Sequence, residues 1–120
     1  MLQLLQSNEE LNTLIAQSHY APVILYKHST KCGTSHAAHY RLQMVMNQTK
    51  AMRLNIIYAM VKVRECKALS EEIADRLSVK HVSPQVLIIH LGRAVWHASH
   101  QRIQGANIMR ALQSLPLSRT

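Results

Sequence analysis

Hydrophobic and polar residues follow two patterns along this chain, one typical of buried strands and one typical of amphipathic helices. Short apolar runs rich in strand-forming residues predict strands, which lie at residues 22–27, 54–63, 85–90 and 93–97. Apolar residues three or four positions apart predict helices, which lie at residues 8–18, 34–50 and 105–114, with a further helix that begins at Ser70. Helix and strand therefore alternate until two consecutive strands precede the last helix.

Local signals mark where several of these elements begin or turn. Ser7 followed by Glu10 matches a capping box, which satisfies unpaired backbone N–H groups at a helix start. Ser70 is expected to cap the third helix, because acidic residues directly follow it and suit the positive end of the helix dipole. Leu91 and Gly92 separate two predicted strands and indicate a tight hairpin turn.

The order α-β-α-β-α-β-β-α predicts an α/β fold made of one domain over residues 1–120. The crossover through the helix at 34–50 makes the first two strands parallel, and the hairpin adds an antiparallel edge. A β-α-β half followed by a β-β-α half is similar to the thioredoxin arrangement. We therefore expect a thioredoxin-like domain with a mixed four-stranded sheet and helices on both faces.

Composition narrows the classes of function. The 120 residues contain no apolar run near the roughly 18 residues of a membrane span, and the first residues lack the basic start of a signal peptide, so we expect a cytoplasmic protein. The formal net charge is +8, but the Lys and Arg residues are scattered, and few aromatic side chains are present on which bases could stack. We therefore expect neither nucleic acid nor a membrane among its partners.

Two cysteines, Cys32 and Cys66, are candidate chemical groups. Two are too few for a disulfide framework, so each is either a small buried apolar residue or a reactive thiol. Cys32 lies in the polar segment 28–35, where a predicted strand ends and a predicted helix begins. This polar context favours a reactive thiol at Cys32 over a packing role.

Several features next to Cys32 favour its thiolate. A helix N-terminus offers unpaired N–H donors and partial positive charge, and both lower the pKa of a thiol below its usual value of about 8.5. Neighbouring cations and hydroxyl donors act in the same direction, and the candidates are His28, Lys31, Thr34 and Ser35. We therefore predict that Cys32 is the catalytic nucleophile and that its pKa is lowered.

The segment 32–35 has the form C-x-x-S, with Ser35 in the place of a second cysteine. Serine forms no disulfide, so an external low-molecular-weight thiol is the natural group to resolve a mixed disulfide on Cys32.

Ser83 and Pro84 directly precede the third predicted strand, where a thioredoxin-like fold carries a cis proline that faces the active-site cysteine. An X–Pro bond adopts the cis form at a modest cost of about 0.5–1 kcal/mol. The Ser83 backbone would then pair with an extended substrate by strand addition. The alternative is an ordinary proline at a strand start.

Four segments together resemble the YtxJ-type bacillithiol-system proteins, also called monothiol bacilliredoxins. They are K-H-S-T-K-C at 27–32, S-E-E-I-A at 70–74, V-K-H-V-S-P-Q-V at 79–86 and A-V-W-H-A-S-H at 94–100. The resemblance implies a thiol–disulfide oxidoreductase that removes bacillithiol from mixed disulfides on proteins. Cys32 would accept the bacillithiol, and a second bacillithiol or a reductase would release it.

The resemblance also implies partners. We expect bacillithiolated proteins and bacillithiol as partners, bacillithiol as co-substrate with no other cofactor, and a monomer or weak dimer. The malyl carboxylates of bacillithiol are anionic, which suits a basic chain. The candidate cations that would contact them are Lys27, Lys31, Arg64, Lys80 and Arg102.

Two positions depart from the family pattern. Gly33 stands where the family usually has a proline that stiffens the first helical turn, so the surroundings of Cys32 are expected to be looser. Cys66 stands where the family usually has an acidic or polar residue, after a strand whose end should lie on the active-site side. Cys66 is therefore a candidate resolving thiol for Cys32, and the alternative is a bystander thiol too far away to bridge.

Other functions fit parts of the pattern. Cys32, His36 and His39 fall on one helix face and could bind zinc, but strong zinc signatures pair ligands from two segments, so we expect no metal. A thioredoxin-like domain could instead be a non-catalytic thiol-capture or partner-binding module in which Cys32 reacts once. A nucleic-acid adaptor would show steeply salt-dependent binding.

Overall fold

A computed structural model describes residues 2–29 and 33–120, except the side chain of Thr34. Its strands are β1 (Leu2–Leu4), β2 (Val23–His28), β3 (Ile57–Lys62), β4 (Gln85–His90) and β5 (Arg93–Ser99). Its helices are α1 (Asn8–Gln17), α2 (Gly33–Ala51), α3 (Lys67–Leu77) and α4 (Gly105–Gln113), and a short 3-10 helix spans His100–Arg102. None of the helices in the described residues is long and apolar enough to cross a membrane.

The strands form one mixed sheet in the order β1-β3-β2-β4-β5. β2 and β3 are parallel, whereas β4 is antiparallel to β2 and β5 is antiparallel to β4. The parallel pair therefore confirms the predicted crossover through α2. The C-terminal ends of β2 and β3 meet at one edge of the sheet, where Val63 N donates to His28 O over 2.9 Å. We call this edge the carboxyl edge.

The prediction of four strands was wrong, because β1 adds a fifth. Leu2 of β1 pairs in parallel with Tyr58 of β3, and Leu4 pairs with Met60. β1 has only three residues, and Leu4 is 40% exposed. The sequence therefore has no alternation of apolar and polar residues from which this strand could be predicted. Its pairing depends on the edge of β3, a partner that comes from a distant part of the chain.

Helices cover both faces of the sheet, as predicted. On one face α1 and α3 pack through Leu11, Leu14, Leu69, Ile73 and Leu77. On the other face α2 and α4 pack through Ala38, Leu42, Val45, Ile108 and Leu112. All six residues of β2 are buried between these layers, and because side chains alternate along a strand, neighbouring residues of β2 face different helices.

The capping box predicted at the start of α1 is present. Ser7 Oγ accepts from Glu10 N over 3.1 Å, and the Glu10 carboxylate accepts from Gln6 N over 2.8 Å. The first bond pairs a backbone donor of the first helical turn that an uncapped helix would leave unpaired, and the second ties the residue before the N-cap to the same turn.

The predicted start of α3 at Ser70 was wrong. The helix begins at Lys67 with Cys66 as its N-cap, and Ser70 is buried inside it. Ser70 Oγ donates to Cys66 O over 3.0 Å. A serine hydroxyl can bond back to the carbonyl four residues earlier, so the same residue type that favours caps is accommodated here within the first turn.

The hairpin turn between β4 and β5 is confirmed. Leu91 and Gly92 have φ angles of 53° and 79°, which match the primed turns that suit the twist of paired strands. Ser18 holds this turn, since its O accepts from Leu91 N over 3.0 Å and its Oγ accepts from Gly92 N over 2.9 Å. The turn lies at the end of the sheet opposite the carboxyl edge.

Candidate active site

The predicted nucleophile follows β2 and directly precedes α2 in the sequence. Cys32 and Lys31, and the side chain of Thr34, lie outside the described residues, so their predicted roles stay predictions. The structure does describe the groups that border this junction. They come from the end of β2, the first turns of α2, the β3–α3 connection and the segment before β4.

Ser35 ties the start of α2 to the end of β2. It is fully buried, and its Oγ accepts from Ser29 N over 3.2 Å. Tyr26, also fully buried, donates its hydroxyl proton to Ser35 O over 2.9 Å. These bonds explain why a serine and a tyrosine are buried beside the junction, since each satisfies a polar group that water does not reach.

Tyr26 also determines the tautomer of His28. The Tyr26 hydroxyl lies 2.9 Å from His28 Nδ1. A phenol carries a single proton, and Tyr26 donates it to Ser35 O. His28 must therefore donate its Nδ1–H to the Tyr26 oxygen, and in neutral His28 the unprotonated nitrogen is Nε2.

His28 is neutral near pH 7 because its surroundings lower its pKa. Burial is the largest cause, and the electrostatic influence of His39, His36 and Lys62 lowers the pKa further, while Glu65 opposes them. The ring of His28 lies 5.4 Å from that of His39 and 6.4 Å from that of His36, centre to centre. The structure thus favours His28 as a proton acceptor through Nε2, while the role predicted from the sequence, stabilisation of the Cys32 thiolate by His28 when protonated, stays a prediction.

The three histidines do not form a metal site by themselves. Within residues 2–29 and 33–120, no three His, Cys, Asp or Glu side chains are arranged to hold a metal ion. The zinc set that would combine His36 and His39 with Cys32 depends on a residue outside this range.

Lys27 was wrongly expected to be a surface cation for an anionic substrate. Its side chain is fully buried on the α3 face of the sheet, and Nζ donates to Ser70 O over 3.2 Å. Nζ also lies 3.0 Å from His81 Nδ1. Burial lowers the pKa of Lys27 to about 8. Arg64, Lys80 and Arg102 are exposed and remain accessible to anions.

The segment that contains Ser83 and Pro84 lies at the same end of the sheet as the carboxyl edge. The Ser83–Pro84 peptide is cis, and Pro84 O accepts from His100 N over 3.1 Å. Gln85, the next residue, pairs with Lys27 of β2. Ser83 is half-buried and Pro84 is buried, while His81 is exposed.

Cys66 is half-buried and begins α3 at the carboxyl edge. Cys66 N donates to Lys62 O over 2.9 Å, which fixes it one turn beyond β3. It packs against the core on the α1 and α3 face, whereas α2 covers the other face. Its separation from Cys32 lies outside the described residues, so a resolving role stays a prediction.

The sequence analysis missed His81 as a functional candidate, and it named Lys27 without predicting that this lysine is buried. Lys27 lies in an otherwise apolar strand run, and a lysine there is a signal that its amine has partners in the interior. The partners themselves are 43 and 54 residues away along the chain, at Ser70 and His81. No local pattern identifies them.

Comparisons with known proteins agree with this architecture. A family model described as monothiol bacilliredoxin BrxC matches residues 3–108. A solved structure described as an oxidoreductase with a thioredoxin fold is similar at 24% identity, with 92% of each chain covered and a TM-score of 0.81. Thioredoxin from Fasciola hepatica is similar at 17% identity, covering 93% of this chain and 97% of that one, with a TM-score of 0.70. Mitochondrial thioredoxin 3 from Saccharomyces cerevisiae is similar at 13% identity over 95% of each chain, with a TM-score of 0.74.

Proposed function

The chain belongs to the monothiol bacilliredoxin family, and from this premise we propose that it removes bacillithiol, or a similar low-molecular-weight thiol, from mixed disulfides on proteins. Membership of this family and the thioredoxin fold support thiol–disulfide redox function. The finer assignment, to bacillithiol and to Cys32 as nucleophile, is the proposal.

The proposed reaction proceeds by two thiol–disulfide exchanges. The Cys32 thiolate attacks the bacillithiol sulfur of the mixed disulfide, a new S–S bond forms on Cys32, and the protein thiolate leaves and takes up a proton. A second bacillithiol then attacks the adduct as its thiolate. Oxidised bacillithiol leaves and the Cys32 thiolate is restored, so the disulfide bond passes from the protein substrate to the two bacillithiol molecules, and only the second of these is newly oxidised.

The observation that carries this proposal is the meeting of two segments at one edge of the sheet. The end of β2, from which the chain continues towards Cys32, lies beside the cis Ser83–Pro84 segment because β2 and β4 are neighbours. In the proposed reaction the Ser83 backbone pairs with the extended chain of a substrate.

His28 is proposed as the proton carrier of the exchange. Its Nε2 accepts the proton of the Cys32 thiol and returns it to the departing protein thiolate. The lowered pKa of His28 suits the second step, because a protonated His28 would give up its proton readily. Lys31 and the hydroxyls of Thr34 and Ser35 are proposed to stabilise the Cys32 thiolate by charge and hydrogen bonding.

Resolution by an external thiol is proposed over resolution by Cys66, since serine replaces the second cysteine of the motif. We further propose that residues 1–120 form a single domain and that the protein is a cytoplasmic monomer or weak dimer. We propose that it acts without a cofactor or metal and does not bind nucleic acid or membranes. The basic charge of +8 supports an anionic thiol as co-substrate.

Mass spectrometry after incubation with a bacillithiolated protein tests the mechanism. We expect one bacillithiol adduct on Cys32 of the wild type, none on the Cys32→Ser variant, and continued release of substrate thiol when bacillithiol is added. The Cys66→Ser variant is the matched control and should turn over at the wild-type rate.

Other outcomes would assign other functions. One equivalent of adduct without further turnover would indicate a thiol-capture module. An adduct that only Cys66 removes would assign resolution to Cys66. A folded wild type that acquires no adduct would contradict the proposed function.

A further inference from the structure

His81 has its ring fixed by a buried amine. Lys27 Nζ is fully buried and lies 3.0 Å from His81 Nδ1. An ammonium group has no lone pair and can only donate, so Nδ1 of His81 must be the accepting nitrogen. The proton of neutral His81 is therefore on Nε2.

The second nitrogen of the His81 ring points away from Lys27. His81 is an exposed residue, and the nitrogen that points inward is Nδ1. In an imidazole ring Nε2 lies on the side away from Nδ1, so the Nε2–H is directed outward. His81 is two residues before Ser83, in the segment proposed to pair with the substrate.

We propose that His81 is a substrate-binding residue, whose outward Nε2–H donates a hydrogen bond to a carboxylate of the low-molecular-weight thiol in the mixed disulfide. Lys27 is the positioning residue that fixes this donor. The inference rests on the proposed function and adds a selectivity to it, namely a preference for thiols that carry carboxylates over neutral thiols of similar size.

Charges around the ring support an anionic ligand. Lys27 and the adjacent exposed Lys80 are positive. Burial and Lys27 keep the pKa of His81 below its usual value, so the ring stays neutral and Nδ1 stays available to Lys27, while the Glu71 carboxylate acts in the opposite direction. Glu71 is the acidic group that faces His81 and would compete with the carboxylate of a ligand.

Two substitutions distinguish the roles of the two ring nitrogens of His81. Asparagine is short enough to place its amide oxygen near the Nδ1 position, so His81→Asn keeps an acceptor for Lys27 and loses the outward donor. Glutamine reaches the Nε2 position, so His81→Gln keeps an outward N–H donor. His81→Gln removes the acceptor of the buried Lys27, so any general effect on folding should be larger in His81→Gln, whereas a loss of rate that is larger in His81→Asn would indicate a binding role.

The test measures the rate constant for attack on two mixed disulfides of the same carrier protein, one made with mercaptosuccinate and one with 2-mercaptoethanol. We expect His81→Asn to lower the rate with the mercaptosuccinate disulfide by about fivefold, the effect of losing one partly exposed charge-assisted hydrogen bond. The rate with the neutral disulfide should stay unchanged, and His81→Gln should retain most of the preference. His19→Asn, at the opposite end of the sheet, is the matched control.

The outcomes also separate this inference from the proposed function. Equal losses with both disulfides, or no loss in His81→Asn, would overturn the binding role of His81 and leave the exchange activity standing. A wild type that reacts with neither disulfide would overturn the proposed function, and the role of His81 with it. Nitrogen-15 chemical shifts of the ring give an independent check, because a protonated Nδ1 in the neutral wild type would contradict the tautomer.

Discussion

Lys27 places a primary amine inside the molecule, where two acceptors from distant parts of the chain surround it. Ser70 O and His81 Nδ1 lie 3.2 Å and 3.0 Å from Nζ. A neutral amine has two protons and could keep both bonds, whereas the charged form bears the cost of burial. The buried ammonium form of Lys27, which still predominates at pH 7, therefore costs stability.

This cost makes stability depend on pH. The pKa of Lys27 is about 8 in the folded protein and near 10.5 when exposed, so between these values the unfolded state binds more protons and the free energy of unfolding rises with pH. The penalty, about 3 kcal/mol, is fully present below pH 8 and disappears as pH rises to the unfolded value. Lys27→Met should lack this dependence.

Denaturant unfolding of the wild type and of Lys27→Met at several pH values between 7 and 10 tests the prediction. The difference between the two free energies of unfolding should shift in favour of the wild type as pH rises. Because every other titratable group is common to both proteins, parallel curves would show that the pKa of Lys27 is not lowered.

Tyr26 links two other groups at this site, and its hydroxyl should contribute to stability. Tyr26→Phe leaves Ser35 O without its donor and His28 Nδ1 without its acceptor. Leaving buried polar groups unpaired costs about 1–3 kcal/mol, and we expect a loss in this range by denaturant unfolding. Tyr40→Phe is the control, since Tyr40 is 67% exposed. A loss of equal size in both variants would show that the buried hydrogen bonds contribute nothing specific.

At the scale of elements, the β4–β5 hairpin depends on a backbone conformation that few residues adopt. Gly92 has a φ of 79°, and a Cβ at this position would lie 3.3 Å from His19 Nε2. Strain and crowding both oppose a side chain here. The hairpin carries β5 and, through it, the bond between His100 and Pro84 that supports the substrate segment.

Gly92→Ala should therefore destabilise the protein by about 1 kcal/mol or more, measured as a fall in the denaturation midpoint. Gly33→Ala is a matched control within the same chain, because a Cβ at Gly33 would meet nothing within 4 Å and alanine favours helices. A Gly33→Ala variant that loses as much stability as Gly92→Ala would contradict this account of the turn.

At the scale of the whole molecule, the sheet assembles the site from segments that are distant in sequence. The parallel pairing of β2 and β3 brings His28 beside Lys62, and the antiparallel pairing of β2 and β4 brings Gln85 opposite Lys27. Neighbouring residues of β2 then point to different faces. Tyr26 organises the α2 side of the site, and Lys27 organises the side that carries His81.

The two histidines are consequently held in opposite tautomers. His28 donates through Nδ1 to Tyr26 and offers a lone pair at Nε2, whereas His81 accepts at Nδ1 from Lys27 and offers an N–H at Nε2. One ring suits proton acceptance and the other suits binding of an anion. The two histidines differ in tautomer because their partners, Tyr26 and Lys27, are consecutive residues of β2 whose side chains point to opposite faces of the sheet.

The sequence by itself determined most of the element order, the parallel crossover, the capping box at Ser7 and the hairpin at Gly92. These features depend on residues within one or two turns of each other, where local hydrogen bonding and backbone preference decide the structure. The segments around Cys32 and Pro84 likewise indicated the family, because they are contiguous motifs.

Only the tertiary structure decided the fifth strand, the start of α3 before Ser70, and the states of Lys27 and His28. β1 needs the edge of β3, and Lys27 needs acceptors more than 40 residues away. The pKa of His28 depends on burial and on charges from three other segments. Burial, charge proximity and hydrogen-bond partners are properties of the packed chain, so they could not be predicted from local patterns.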